Sequence, residues 1–213
     1  MNSQEKEISY TSVNSYSTLN MLTADTKTIW FVCHGMGYLS RYFLKYFRGL
    51  NANKNYIIAP QAPSKYYQQP KLHVGANWLT KDNTEMGTEN IMQYFDAIFE
   101  AEKLPQHLNF IVFGYSQGVS VAARYIAKRQ LQCKQLIFHS GGIPKELIPK
   151  DFEFLHKSTK VKLVYGTKDQ YLDNTRIIEE SNRAKSLFGD RLSIHPFEGK
   201  HEVHVDFIEN HIL

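Results

Sequence analysis

Six short apolar runs punctuate this chain: IWFVC (29–33), YIIAP (56–60), NFIVFGY (109–115), QLIFH (135–139), VKLVYG (161–166) and RLSIHPF (191–197). Each is rich in branched or aromatic residues and has the length of a strand rather than a helix. Most lack the polar–apolar alternation of a half-solvated sheet, so they read as strands buried on both faces. Strands of that kind need helices above and below them. The segments between the runs supply these: 87–103 places Ile91, Tyr94, Phe95, Ile98 and Phe99 on one stripe, and 39–50, 116–130, 174–188 and 202–211 also have helical spacing. Strands alternating with helices imply right-handed crossovers and an α/β fold with a mostly parallel, doubly wound sheet.

The first 28 residues differ. EISYT and YSTLNML alternate around the turn-like VNS and predict an antiparallel pair of strands at the sheet edge. No repeat, low-complexity tract or linker interrupts the chain, so residues 1–213 are expected to form one domain. A formal net charge of +4 is mild, and the bases are scattered. Arg124, Lys128 and Arg129 can share a helix face, but as a solvated surface, not a nucleic-acid stripe. Two cysteines do not make a disulfide framework, and Cys33 lies inside an apolar run. The start, MNSQEKEISYTS, is too polar for a signal peptide, and no run reaches the length of a membrane span. A cytoplasmic protein is expected.

The apolar run 109–113 ends in Gly114-Tyr115-Ser116-Gln117-Gly118, and helical spacing follows at once. A serine between two glycines, at a strand-to-helix turn, is the G-x-S-x-G nucleophile elbow in its required context. The serine takes a strained backbone so that its hydroxyl stands clear of the sheet. Glycine at 114 and 118 avoids collision with the neighbouring strand and helix. A serine hydroxyl is a weak nucleophile until a base removes its proton. A histidine and an orienting carboxylate should therefore sit on loops after later strands, at the same sheet edge.

Asp169 follows the run 161–166 directly and meets that demand. Asp173 is better placed to cap the helix starting near Asn174, and Asp190 precedes its strand, at the wrong edge. His201 lies on the loop after the last run. His195 falls within that run, and His204 is about one helical turn beyond. The three histidines lack HExxH spacing and a carboxylate at ligand spacing, so no metal is expected. Ser116, Asp169 and His201 follow the chain order of the α/β-hydrolase triad. The Gln117 N–H, and the Met36 N–H in His34-Gly35-Met36-Gly37, are the expected oxyanion donors. His34 itself is expected to bond loop backbone. Tyr38, Tyr66, Tyr67 and Trp78 lie in loops and could wall a pocket, with Leu172 joining them. No arginine pair or lysine cluster occurs in these loops, which predicts an uncharged, apolar acyl group.

With these residues in place, the chain resembles the phospholipase/carboxylesterase family of α/β-hydrolases, which includes the acyl-protein thioesterases. The similar segments are VCHGMG (32–37), IIAPQAP (57–63), GANW (75–78), FGYSQGV (113–119), SGG (140–142), VYGTKD (164–169) and GKH (199–201). The resemblance implies a cofactor-free serine hydrolase of small-molecule esters or thioesters. It carries the triad onto Ser116, Asp169 and His201, the oxyanion amides onto Met36 and Gln117, and a rim tryptophan onto Trp78. Tyr38 stands where the family often has an acid, and the run Trp78-Leu79-Thr80 lacks an aspartate the family often carries. A non-catalytic binding module on the same fold and a serine peptidase are the alternative functions. Oligomeric state is not readable from the chain.

Overall fold

Strands without a polar face must be covered on both sides, and the computed structural model, which describes residues 3–210, arranges them so. β1 (Tyr16–Leu19), β2 (Thr28–Cys33), β3 (Asn55–Pro60), β6 (Asn109–Tyr115), β7 (Gln135–His139), β8 (Lys160–Gly166) and β9 (Leu192–Phe197) form one sheet in the order β1-β3-β2-β6-β7-β8-β9. All neighbours pair in parallel except β1, which runs antiparallel to β3 at the edge. Along β2 alternate residues enter opposite cores. Ile29, Phe31 and Cys33 join one, with Phe95 and Tyr125. Trp30 and Val32 join the other, with Phe47, Phe113 and Phe207. This two-sided burial explains why the strands read as unbroken apolar runs.

Helices α2 (Thr84–Glu102), α3 (Gln117–Arg129) and α4 (Asn174–Phe188) follow the predicted spacings closely. Asp173 caps α4, accepting from the Arg176 N–H at 2.8 Å. The predicted helix over 39–50 is instead a single turn, α1 (Ser40–Phe43), continuing as a 3₁₀ turn through Phe47. The last helix, α5, spans Val205–Asn210. The predicted tail of that helix, residue 211, lies outside the described residues.

The N-terminal reading needs correction. Only Tyr16–Leu19 forms a strand, and EISYT pairs with nothing regular. β3 has a single open edge, which β1 takes. A second unpredicted feature is a separate hairpin of β4 (Ser64–Gln68) and β5 (His73–Asn77). Cys33 and Cys133 are both free and buried. Among the described residues, no helix is long and apolar enough to cross a membrane.

Candidate active site

The elbow forms because β6 stops at Tyr115 and α3 starts at Gln117, leaving one residue to reverse the chain. That residue, Ser116, has φ 52° and ψ −121°. A non-glycine residue there carries strain of about 1–3 kcal/mol. Two contacts hold it: the Ser116 N–H donates to the His139 carbonyl at 2.8 Å, and its own carbonyl accepts from Val119. A Cβ on Gly118 would lie 2.1 Å from the Cys33 carbonyl oxygen, and one on Gly114 2.6 Å from the Val119 Cα. Glycine is thus required on both sides by close packing of strand and helix.

The loops after β8 and β9 are laced together. Thr167 N–H donates to the Phe197 carbonyl at 2.9 Å, and Lys168 N–H to that of Gly199 at 2.8 Å. This lacing brings Asp169 beneath His201. The Asp169 side chain is fully buried, and its Oδ1 accepts from the N–H groups of Tyr171 (2.8 Å) and Leu172 (3.3 Å). Its Oδ2 lies 2.7 Å from His201 Nδ1. His201 Nε2 lies 2.9 Å from Ser116 Oγ. With the carboxylate as acceptor, Nδ1 carries the proton, and Nε2 is free to accept from the serine hydroxyl. The three predicted residues are therefore brought together in one hydrogen-bonded line.

His201 is held from several sides. The Tyr115 hydroxyl donates to the His201 carbonyl at 3.0 Å, and the exposed Tyr171 ring stands edge-on to the imidazole at 4.8 Å. His139, at the end of β7, was not singled out from the sequence, yet its fully buried ring accepts from the His204 N–H through Nε2 at 3.0 Å. Its Nδ1 faces Ser140 Oγ at 3.0 Å. Burial, reinforced by the charges of His204 and His201, pushes its pKa down to about 3. The signal in the sequence was a histidine closing the buried strand QLIFH directly after three apolar residues. His204 itself stacks on Phe197 at 4.3 Å, and His195 Nε2 meets Ser193 Oγ at 2.8 Å.

His34 bonds loop backbone as expected. Its Nδ1 donates to the Gly35 carbonyl at 2.8 Å, and its Nε2 accepts from the Ala62 N–H at 3.2 Å. Burial lowers its pKa to about 4. The loop it supports is also clamped by Gln68, whose Nε2 donates to the Gly37 carbonyl at 2.7 Å. Gly37 N–H donates to Ala76, and Tyr38 N–H to Gly35, whereas no protein acceptor engages the Met36 N–H among the described residues. The Gln117 N–H opens α3 and so lacks a partner within the helix. The Gln117 side chain has a role the sequence did not disclose. Its Oε1 accepts from the Trp78 N–H at 2.9 Å, and its Nε2 donates to Asn77 Oδ1 and the Leu79 carbonyl at 2.6 and 2.7 Å.

A cavity of about 290 Å³ opens beside Ser116, lined by residues that include Gln117, Gly142, Tyr171, Leu172, Arg176 and His201. A second, of about 510 Å³, borders Gly37, Tyr38, Tyr42 and Gln68. Leu172 and Tyr38 thus reach cavities. Tyr66 and Tyr67 lie on β4 and line neither. Trp78 requires correction: it is 2% exposed, its Nε1 donates to the His34 carbonyl at 2.7 Å, and it packs on Phe95. It is a buried strut under the loop after β2, because the end of β5 tucks beneath Gln117. The loops had shown no arginine pair or lysine cluster, but the first turn of α4 carries a single arginine, Arg176, to the cavity wall. Among the described residues, no group of three or more His, Cys, Asp or Glu could hold a metal ion.

The family described as phospholipase/carboxylesterase matches residues 18–212. Fold and match together define the class as an esterase-type α/β-hydrolase. The chain belongs to the phospholipase/carboxylesterase family. Solved structures share the fold at low identity. Acyl-protein thioesterase 2 of Zea mays superposes with a TM-score of 0.66 at 15% identity, covering 90% of this chain and 93% of its own. The Bacillus cereus carboxylesterase gives 0.66 at 14%, covering 94% and 92%. A phospholipase/carboxylesterase from Dyadobacter fermentans gives 0.64 at 19%, covering 94% and 97%. No curated protein sequence matches the chain.

Proposed function

We propose that this chain is a cofactor-free serine esterase or thioesterase, acting as one domain on small-molecule substrates through an acyl-enzyme. The observation that carries the reading is the unbroken line Ser116 Oγ–His201–Asp169, with contacts of 2.9 and 2.7 Å. His201 Nε2 takes the hydroxyl proton as Oγ attacks the carbonyl carbon. Asp169 keeps the imidazole in the right tautomer and stabilises its cation, but holds no proton itself. The tetrahedral oxyanion accepts from the N–H groups of Met36 and Gln117, each worth about 10²–10³ in turnover. His201 then gives its proton to the departing alcohol or thiol. Water enters, His201 takes a proton from it, and the acyl-enzyme is cleaved by the same steps in reverse.

The test is Ser116→Ala. It should reduce hydrolysis of a short p-nitrophenyl ester to background and abolish labelling by a fluorophosphonate probe, with an unchanged circular dichroism spectrum. Wild-type turnover or labelling in that variant refutes the assignment.

A further inference from the structure

Arg176 is the one arginine or lysine lining the cavity beside Ser116, and no aspartate or glutamate lines it among the described residues. Its counter-charge is Glu180, one turn further along α4, with Nη2 to Oε1 at 2.8 Å. Glu180 has nothing left to offer a ligand. Its side chain is 7% exposed, and its Oε2 already accepts from the Ile143 N–H at 2.9 Å. Arg176 is in the opposite state. Its side chain is 42% exposed, and its Nε–H has no acceptor.

The pair is poorly explained as a stability device. Exposed ion pairs one helical turn apart contribute only about 0.3–0.5 kcal/mol. Burying one carboxylate, by contrast, costs several kcal/mol before its partner offsets it. Space is also kept for it: a Cβ on Gly142 would lie 2.7 Å from Arg176 Nη2 and 2.9 Å from Glu180 Oε1. Arg183, further along α4, is turned to the backbone instead, where Nη2 donates to the carbonyls of Pro144 and Leu147. What remains at the cavity wall is a guanidinium backed by a buried acid, with no carboxylate beside it in the lining.

Resting on the hydrolase reading above, we infer that Arg176 is a specificity residue, and that the preferred substrates are esters or thioesters carrying a carboxylate on the acyl or alcohol part. A guanidinium binds a carboxylate in a fixed two-point geometry that a neutral chain end cannot use. Ser116 and Arg176 share one cavity of about 290 Å³, so a few carbon atoms separate the scissile carbonyl from the anionic group.

Two matched pairs test this in a pH-stat: monoethyl glutarate against ethyl pentanoate, and 4-acetoxybutanoate against butyl acetate. In wild type, the carboxylate-bearing member of at least one pair should have the higher kcat/KM. Arg176→Met should lower that ratio at least tenfold. Because Arg176→Met leaves Glu180 unpaired, the double variant R176M/E180Q, which removes both charges, should lower it equally while restoring the melting temperature. A ratio that moves less than twofold in both variants, or a wild-type preference for the neutral ester in both pairs, overturns the inference and leaves the serine hydrolase standing. Absence of Ser116-dependent hydrolysis of all four esters overturns the hydrolase reading and this inference with it.

Discussion

Acidification from pH 7.5 to 5 should destabilise this protein through two identified side chains, His34 and His139. In each, one ring nitrogen donates and the other accepts from a backbone N–H, so the ring must be neutral. A proton added at Nε2 would face the Ala62 or the His204 N–H instead of accepting from it. Burial agrees, holding the two pKa values down at about 4 and about 3. In the unfolded chain both return to about 6.5. Between those limits the unfolded state binds more protons, so stability rises with pH. The contribution is complete above about pH 6.5 and is lost as pH falls through the window down to the folded values. At pH 5 each histidine has forfeited about 2 kcal/mol, from ~1.4 kcal/mol per pH unit below 6.5. The two together forfeit ~4 kcal/mol, or roughly 8–16 °C of melting temperature for a chain of this size.

Thermal melts followed by circular dichroism at pH 7.5 and pH 5, at constant ionic strength, read this directly. His139→Leu and His34→Leu each lose two hydrogen bonds and will melt lower at both pH values. The informative quantity is the difference between the two melts, from which that loss cancels. Each single variant should remove about half of the drop, and the double variant most of it. If both single variants keep the full wild-type drop, these rings are not the groups that take up the protons.

Two further outcomes follow from the site. Asp169→Asn should preserve the fold but cut kcat about 10⁴-fold, because the amide no longer selects the imidazole tautomer that accepts from Ser116; steady-state ester hydrolysis measures it, and a loss under tenfold contradicts the assigned role. Gln117→Ala keeps the backbone N–H proposed for the oxyanion, yet removes the partners of the Trp78 N–H and the Leu79 carbonyl. It should destabilise by about 2–4 kcal/mol in urea unfolding, and an unchanged midpoint would show that water replaces the side chain freely.

How far the sequence reaches depends on what each residue must satisfy. Strands β2, β3 and β6 to β8 were legible because both of their faces are buried, which forces a composition no loop needs, whereas β9 is an edge strand with no buried residue, so its reading as buried on both faces is corrected. Asp169 and His201 were legible because chain order and strand ends restrict where an acid and a base can stand. EISYT misled because alternation records a local tendency: all five of its residues are exposed, so no core favours laying them along the open edge of β1. The β4–β5 hairpin escaped because SKYYQ is almost wholly exposed and has no core to declare itself to. Arg176 escaped for a different reason. Helical spacing says which residues share a face, but not that the first turn of α4 overlooks the nucleophile.

The supports of the site, apart from the expected role of His34, were hidden for a common reason: they are side chains bonded across to a different loop. His34 ties the loop after β2 to Ala62, just past the end of β3. Gln117 ties the elbow to the end of β5 and beyond it. His139 ties the end of β7 to His204, and the Tyr115 hydroxyl ties the end of β6 to the His201 carbonyl. The base is thus anchored at its own carbonyl and again three residues later, by two residues that lie on adjacent strands. These ties reach partners 28 to 86 positions away in the chain. A contact of 2.9 Å between a hydroxyl and an imidazole tolerates little drift. The sheet fixes the strand ends, and these cross-loop bonds carry that rigidity the last few ångströms to the reacting atoms.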